Sequence, residues 1–376
     1  MKIIIVHIGD ILKYPPVMSL INALEQLKID TVVVTTKSDF NNMRFENVLF
    51  KVLDYEYERN HSPILKMINI IKYRKQISNI IDDEYINNSL IWITYNVSLK
   101  HMNIGKLLKH KYVLQLMELS ENIRYYRKFP FKMNAPKIAY NAEIVVVPEY
   151  NRAHILQAWW DLERLPFILP NKPYCNISIE RNSYIQDDKA RNVIESLNNK
   201  KIILYQGILS KERPLEKLIK VVEDLGDDYA FVVMSDRENI YKNIHSNNFY
   251  FIPFVAPPYH LQITSHAYIG ILTYVPFKGE FSPLNSLYCA PNKIYEYAKF
   301  GIPMMGNDIP GLKFLFSTQH CGICFEDFTE DSMHLAFNEI IRDYENLSKS
   351  SYKLYENLNY VEKVEQILEI TRMNEN

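Results

Sequence analysis

The sequence predicts two doubly wound α/β domains in tandem, and three observations predict it. A chain of 376 residues exceeds what one hydrophobic core usually organises. Short runs of aliphatic and β-branched residues recur along it, residues 2–8 and 201–205 among them, without polar alternation, as in strands buried on both faces. Amphipathic helical patterns separate these runs, which is the signature of parallel βαβ units.

The first series opens with strand 2–8, Gly9 in a short loop, Pro15-Pro16 and a helix over 17–28, where Leu20, Ile21, Leu24 and Leu27 recur at helical spacing. Strand 31–36 completes a β-loop-α-β unit, expected to be right-handed with parallel strands. It lacks a full G-x-G-x-x-G, so the dinucleotide fingerprint is not met. Then come strand 48–53, helix 64–81, strand 90–94, a helix near 98–110, strands 112–117 and 143–147, helix 151–160, the run 167–169 and a turn at Pro170-Asn171-Lys172-Pro173. Residues 174–200 are polar and are expected to connect the domains, with a helix near 187–198.

The second series has strand 201–205, helix 214–225, strands 229–234 and 249–252, helix 258–265 and strand 267–272. A helix from Pro291, strands 302–306 and 322–325, and a helix over 331–346 follow. The domains are expected at 1–175 and 176–349, with one amphipathic helix in 350–376 packing back on the first. Two such sheets can aim the carboxyl ends of their strands into one central cleft, where ligands of doubly wound folds bind.

Composition narrows the function classes. A net charge of −1 with 23% charged residues gives no polyelectrolyte signal, so nucleic-acid binding is not implied. Only 10 glycines argue against Gly-rich phosphate loops repeated through the chain. Cys321 and Cys324 make a C-x-x-C, but a zinc site would need a second pair. With Cys175 and Cys289 they read as small apolar fillers, suited to a reducing compartment. The opening apolar run is too short for a signal sequence, and no run approaches a membrane span. The expectation is a cytoplasmic protein, soluble or peripheral on the inner face of the membrane.

The chemistry concentrates in two stretches. In residues 290–306, Pro291 suits the first helical position, and Gly301 suits the left-handed residue that ends the helix before Pro303. Asn292 and Glu296 lie four apart and Lys293 and Glu296 three apart, so they are neighbours on one side. Free N–H groups, an amide and an ammonium at a helix start suit a phosphate, and a carboxylate one turn on suits a ribose diol. The alternative is an ordinary amphipathic helix with solvated charges. In the second stretch, strand 201–205 runs into Gln206, Gly207 and, six residues later, Arg213, just before a helix expected at Pro214. Gly207 permits a close backbone approach. An Arg at a helix start is unfavourable for the dipole unless an anion lies between them, and a guanidinium holds phosphate oxygens bidentately.

Together these stretches, Y-Q-G-x-L-x-x-x-R-x-L-E and P-N-K-I-Y-E-Y-x-x-x-G-I-P, resemble the retaining GT-B glycosyltransferases, close to glycosyltransferase family 4. Within it the match is to the bacterial group used in surface polysaccharide assembly. I-V-H-I-G-D-I-L-K-Y-P-P-V resembles the opening loop, and I-V-V-V-P-E-Y-N-R-A-H-I-L-Q with L-P-N-K-P the end of the first domain. The resemblance spans about residues 1–345. It implies a first domain for the acceptor and a second for a nucleoside-diphosphate sugar. Gly207 matches the glycine of the family's G-R-L-x-x-x-K-G, Arg213 takes the position of its Lys, and Glu296 matches the second Glu of E-x7-E. Ile208 stands where an Arg often follows the glycine, and Tyr288 where the first Glu stands.

The resemblance implies that Arg213 and Lys293 stabilise charge on the leaving diphosphate, aided by Asn292, without a metal or other cofactor. It also implies that Glu296 holds the ribose, and that the acceptor attacks from the leaving-group face. Val255, within 254–258, is expected near the base. On the acceptor side, Gly9 allows close approach and Glu118, after strand 112–117, could orient a hydroxyl as a third catalytic candidate; His7 reads as a core histidine. The loop 281–285 is a weaker candidate for contact with the donor sugar. Residues 123–137 interleave Arg and Lys with Tyr and Phe, which suits an anionic membrane surface and a lipid-linked acceptor; a saccharide acceptor is the alternative. The reading is a retaining glycosyltransferase. Its rivals are a nucleotide-sugar 2-epimerase and a catalytically silent GT-B subunit that binds a partner or acceptor, which the absent first Glu keeps open.

Overall fold

Apolar runs buried on both faces become the central strands of two parallel sheets, each wound with helices. A computed structural model describes residues 1–36, 44–53, 63–94, 96–119, 133–174, 177–197, 199–237, 240–241, 243, 246–277 and 282–373. The chain divides into two domains, one of Met1–Tyr174, Glu280–Ser282 and Asn359–Asn376, the other of Cys175–Gly279 and Pro283–Leu358.

The first domain runs β1 (Lys2–His7), α1 (Pro15–Gln26), β2 (Asp30–Thr36), β3 (Val48–Leu53), α2 (Pro63–Glu84), β4 (Ser89–Thr94), α3 (Asn96–Lys100), α4 (Ile104–Leu107), β5 (Tyr112–Gln115), α5 (Ala135–Tyr140), β6 (Ile144–Val147), α6 (Tyr150–Trp160) and β7 (Phe167–Ile168). Among the described residues its sheet has seven strands, in the order β3-β2-β1-β4-β5-β6-β7, all parallel. Ile4 sits beside Val32 on one neighbour and Ile91 on the other. Ile4 and Val6 enter the core on one face of the sheet, and Ile3 and Ile5 the core on the other, beside Leu20 and Leu24 of α1. That alternation explains why the run carries no polar face.

The second domain runs α7 (Asp188–Ser196), β8 (Lys201–Gln206), α8 (Glu216–Asp224), β9 (Tyr229–Ser235), β10 (Phe249–Pro253), α9 (His260–Thr264), β11 (Ala267–Leu272), α10 (Leu284–Leu287), α11 (Lys293–Ala298), β12 (Met304–Asn307), α12 (Pro310–Gln319), β13 (Gly322–Phe325), α13 (Glu330–Arg342) and α14 (Tyr344–Glu356). Its described strands form a six-stranded parallel sheet in the order β10-β9-β8-β11-β12-β13. Both sheets share the 3-2-1-4-5-6 order, in which the winding reverses between the first and fourth strands. The reversal lies between β1 and β4 in the first domain and between β8 and β11 in the second. Cys289 and Cys321 are buried, and burial pushes the Cys321 and Cys324 thiols up to about 12.

Several expected boundaries move. The helix expected near 98–110 is two short ones, α3 and α4. The single helix expected in 350–376 is also two, broken at Asn357–Asn359: α14 stays in the second domain, and α15 (Tyr360–Met373) belongs to the first. Tyr360, Val364, Ile367 and Leu368 of α15 lie on one helical face and join the core around α1. Each such buried side chain contributes roughly 1.5–3 kcal/mol. The Tyr360 ring stacks on Tyr174, with centroids 6.2 Å apart and planes 12° from parallel. Among the described residues no helix is long and apolar enough to cross a membrane.

Candidate functional site

In the second domain, the carboxyl ends of β8 and β11 meet at the reversal point, and the residues singled out from sequence gather beside them. β8 ends at Gln206, and Gly207 follows with φ +132°, a conformation side chains resist. A Cβ on Gly207 would stand 3.6 Å from Lys293 Nζ. The Gly207 N–H is donated to Met234 O at 2.9 Å, so the glycine contributes room rather than a donor.

Helix α11 brings Lys293 and Glu296 inward. It begins at Lys293, not at Pro291, and Asn292 precedes it without a side-chain capping bond. Pro291 lies in the preceding turn, with Ile294 N–H donating to its carbonyl. With six residues the helix carries little macrodipole, so charge recognition rests on side chains. Gly301 takes the left-handed conformation expected of it, at φ +61°.

Glu296 is 4% exposed, and a buried carboxylate needs donors. It has two. Gln206 Nε2–H donates to Oε2 at 2.5 Å, and His260 Nε2 lies 3.1 Å from Oε1. An ionised carboxylate only accepts, so the second contact puts a proton on Nε2. Thr264 O–H donates to Gln206 Oε1 at 2.7 Å, fixing the amide's orientation. The carboxylate is therefore held by β8 and α9 with lone pairs remaining for a ligand.

Lys293 is 7% exposed, and its Nζ has no hydrogen-bond partner among the described residues. It lies 4.1 Å from the Tyr205 ring centroid and 5.4 Å from that of Tyr274. Burial, then the nearby Arg213 charge, hold its pKa well below the ordinary lysine value; the Glu296 charge opposes them. Aromatic faces compensate a desolvated cation only in part. Arg213 belongs to the same cluster. Its Cζ lies 5.5 Å from the Tyr274 centroid and its Nη1 donates to Ile208 O at 3.3 Å. Helix α8 begins at Glu216, so Arg213 stands in the loop rather than at the helix entrance expected from Pro214. Val275 N–H donates to Glu212 O at 2.8 Å and docks that loop beside β11.

The remaining candidates fall elsewhere. Val255 is buried in the second domain's apolar core, so only its backbone is left for a ligand. Tyr288 follows α10. In the first domain, His7 Nδ1 lies 2.8 Å from Thr94 Oγ1, joining β1 to β4 at that sheet's own reversal point. Burial pushes His7 down to about 3, which keeps it neutral. A Cβ on Gly9 would meet His7 Nε2 and Tyr14 Cε2, each at 3.1 Å. Glu118 lies 3.9 Å from Arg152, which donates to Met117 O at 2.6 Å, so this carboxylate has a partner within its own domain. Of the basic-aromatic stretch 123–137, residues 123–132 lie outside the described residues; Ala135 opens α5, capped by Asn134. Of the loop 281–285, Phe281 lies outside the described residues, and Leu284 opens α10.

Sequence reasoning missed Gln206, His260, Thr264, Tyr205, Tyr274 and Asn307. The available signals were a polar residue ending each of two apolar strands, Gln206 and Asn307.

No family model matches the chain, and no curated protein matches it. Solved structures do. Anabaena Alr3699/HepE, crystallised with UDP and glucose, is 13% identical at a TM-score of 0.66, with 98% of each chain covered. A glycosyltransferase from Rickettsia africae ESF-5 is 12% identical at 0.68, covering 99% of this chain and 98% of its own. WaaG, a glycosyltransferase involved in lipopolysaccharide biosynthesis, is 10% identical at 0.60, covering 99% of both. The fold is that of the GT-B glycosyltransferases. At these identities the likeness speaks for the fold, and the GT-B architecture assigns the two sheets described above to its paired Rossmann-like domains.

Proposed function

We propose that this GT-B chain transfers a sugar from a nucleoside-diphosphate sugar to an acceptor hydroxyl. The observation that carries the reading is Lys293: a buried ammonium with no hydrogen-bond partner among the described residues, set beside Arg213 at the reversal point of the second sheet. Two basic side chains sharing one aromatic ring suit the two adjoining phosphates of a diphosphate. Glu296, oriented by Gln206 and His260, suits the ribose hydroxyls. As the glycosidic bond breaks, negative charge grows on the β-phosphate, and preoriented cations stabilise it there without reorganising. In this reading they take the part a metal would otherwise play.

The finer terms follow the motif resemblance. The transfer retains anomeric configuration, the acceptor is a saccharide or a lipid-linked saccharide, and the product belongs to surface polysaccharide or glycoconjugate assembly on the cytoplasmic side. HepE's complexes with UDP and with UDP-glucose make UDP the first nucleotide to try.

The test is a thermal-shift panel of UDP, GDP, ADP, dTDP and CMP on wild type and Glu296→Ala. A ligand at 100 times its dissociation constant adds about 2.7 kcal/mol to stability. One nucleotide stabilising wild type and failing on the variant supports the donor site. No stabilisation by any of them overturns it and favours the silent binding subunit, the reading that Tyr288 in place of the first Glu keeps alive. With the matching donor sugar, the anomeric proton resonance of the product reads retention, and conversion without an acceptor would instead indicate an epimerase.

A further inference from the structure

Tyr274 is where the two cations of the donor site meet, and neither the motifs nor the fold gives it a role. It follows β11 at the reversal point, two residues beyond Leu272. Its backbone is clamped by one side chain from the next strand. Tyr274 N–H donates to Asn307 Oδ1 and Asn307 Nδ2–H donates to Tyr274 O, both at 2.8 Å and both buried. Asn307 is the last residue of β12, so the clamp extends the sheet past the point where the ladder ends.

The ring is 5% exposed and has Arg213 Cζ and Lys293 Nζ at 5.5 and 5.4 Å from its centroid. Its hydroxyl is buried without a partner among the described residues, so no hydrogen bond from the phenol anchors the side chain. The ring is held by its backbone and by packing, and it offers a π face rather than a polar tip. Two like charges repel, and the Arg213 charge disfavours the charged form of Lys293. A shared aromatic surface offsets part of that repulsion. It also fixes where both basic side chains stand before any ligand arrives, so that recognition of charge needs no side-chain rearrangement.

We propose that Tyr274, clamped by Asn307, is a positioning residue that holds Arg213 and Lys293 as a pair and thereby sets a preference for nucleoside diphosphates over monophosphates. One cation answers one phosphate. The pair answers two adjoining phosphates, and only if both cations are kept together. The inference rests on the donor-site reading above and adds to it the residue that makes the cations act jointly.

The experiment is isothermal titration of the nucleoside, monophosphate and diphosphate of uracil, guanine and adenine with wild type, Tyr274→Leu, Tyr274→Phe and Asn307→Ala. For the preferred base, wild type binds the diphosphate at least about tenfold more tightly than the monophosphate. Tyr274→Leu and Asn307→Ala reduce that ratio to roughly threefold or less while nucleoside affinity holds, which a general loss of fold would not do. Tyr274→Phe keeps the wild-type ratio, because the ring remains. An unchanged ratio in Tyr274→Leu overturns the inference and leaves the donor site standing. A loss in Tyr274→Phe equal to that in Tyr274→Leu also overturns it, by making the hydroxyl the contact. A wild type that binds no nucleotide overturns the donor reading and this inference with it.

Discussion

Lys293 carries an ammonium into the interior of the second domain, where Tyr205 and Tyr274 supply aromatic faces but no acceptor. Its lowered pKa has a consequence with a definite sign. In the unfolded chain the ammonium keeps its proton up to about 10.4. Between the lowered folded value and that limit the unfolded chain holds more protons, so this residue's contribution to stability rises with pH. A bound diphosphate reverses the shift by favouring the charged form. Above the lowered value, binding therefore takes up a proton and weakens as pH rises, by up to about tenfold per pH unit. The measurement is diphosphate affinity between pH roughly 7.5 and 9.5, clear of the phosphate's own titration near 6. Lys293→Met should bind more weakly and lose the slope. A wild type as flat as the variant would remove Lys293 from the site.

At the scale of elements, α11 is positioned by one aromatic ring seated on one glycine. A Cβ on Gly270 of β11 would stand 2.4 Å from Tyr297 Cδ2, and the Tyr297 hydroxyl donates to Leu204 O of β8 at 2.9 Å. The ring is fully buried and has nowhere to move. Gly270→Ala is expected to destabilise the protein by about 1–3 kcal/mol or more through overpacking. Because Glu296 precedes Tyr297 on the same helix, nucleotide binding should fall with it. Denaturant melts and titrations on the same variant check both, and a neutral substitution would mean that α11 is seated some other way. The central strands were legible from sequence because burial on both faces leaves unbroken apolar runs, as in β11, which has the bounds read for it; the edge strands β3 and β13 also have theirs, although β3 carries Lys51 and exposes Leu49 and Val52. Helix ends were not, because turn chemistry decides them: Pro291 reads as a helical start but lies in a turn, and α12, opening on Pro310-Gly311, went unread. In the candidate site, Gly207, Arg213, Lys293 and Glu296 were visible as spaced motifs. Gln206, His260, Tyr274 and Asn307 were not, since their meeting depends on β8 lying beside β11 and β11 beside β12, a strand order that spacing does not encode.

At the scale of the whole molecule, the histidines that burial keeps from charging are unevenly shared among the described residues. Burial pushes His7 down to about 3 and His101 down to about 4, and lowers His110 as well; all three belong to the first domain. Unfolded histidine titrates near 6.5. As pH falls from there toward about 4, the unfolded chain takes up protons that the folded first domain refuses, and stability falls. The slope is up to about 1.4 kcal/mol per pH unit for each fully buried histidine. Hydrogen exchange at pH 5 should show first-domain amides losing protection before those of the second, and His7→Asn with His101→Asn should reduce the difference. Earlier opening of the second domain would sink the prediction.

The pairing of Tyr174 with Tyr360 bears on how such a chain can be rewired. Tyr174 is the last residue before the polypeptide leaves the first domain, and Tyr360 stands one residue inside the point of its return. The exit and the final re-entry are thus neighbours on one scaffold, and the second domain lies between them in sequence, interrupted only by Glu280–Ser282. Splice points marked by two stacked rings would let one module be exchanged for another while the host sheet and its closing helix α15 keep their packing. Whatever the second domain recognises, that wiring would let its specificity change by cassette rather than residue by residue.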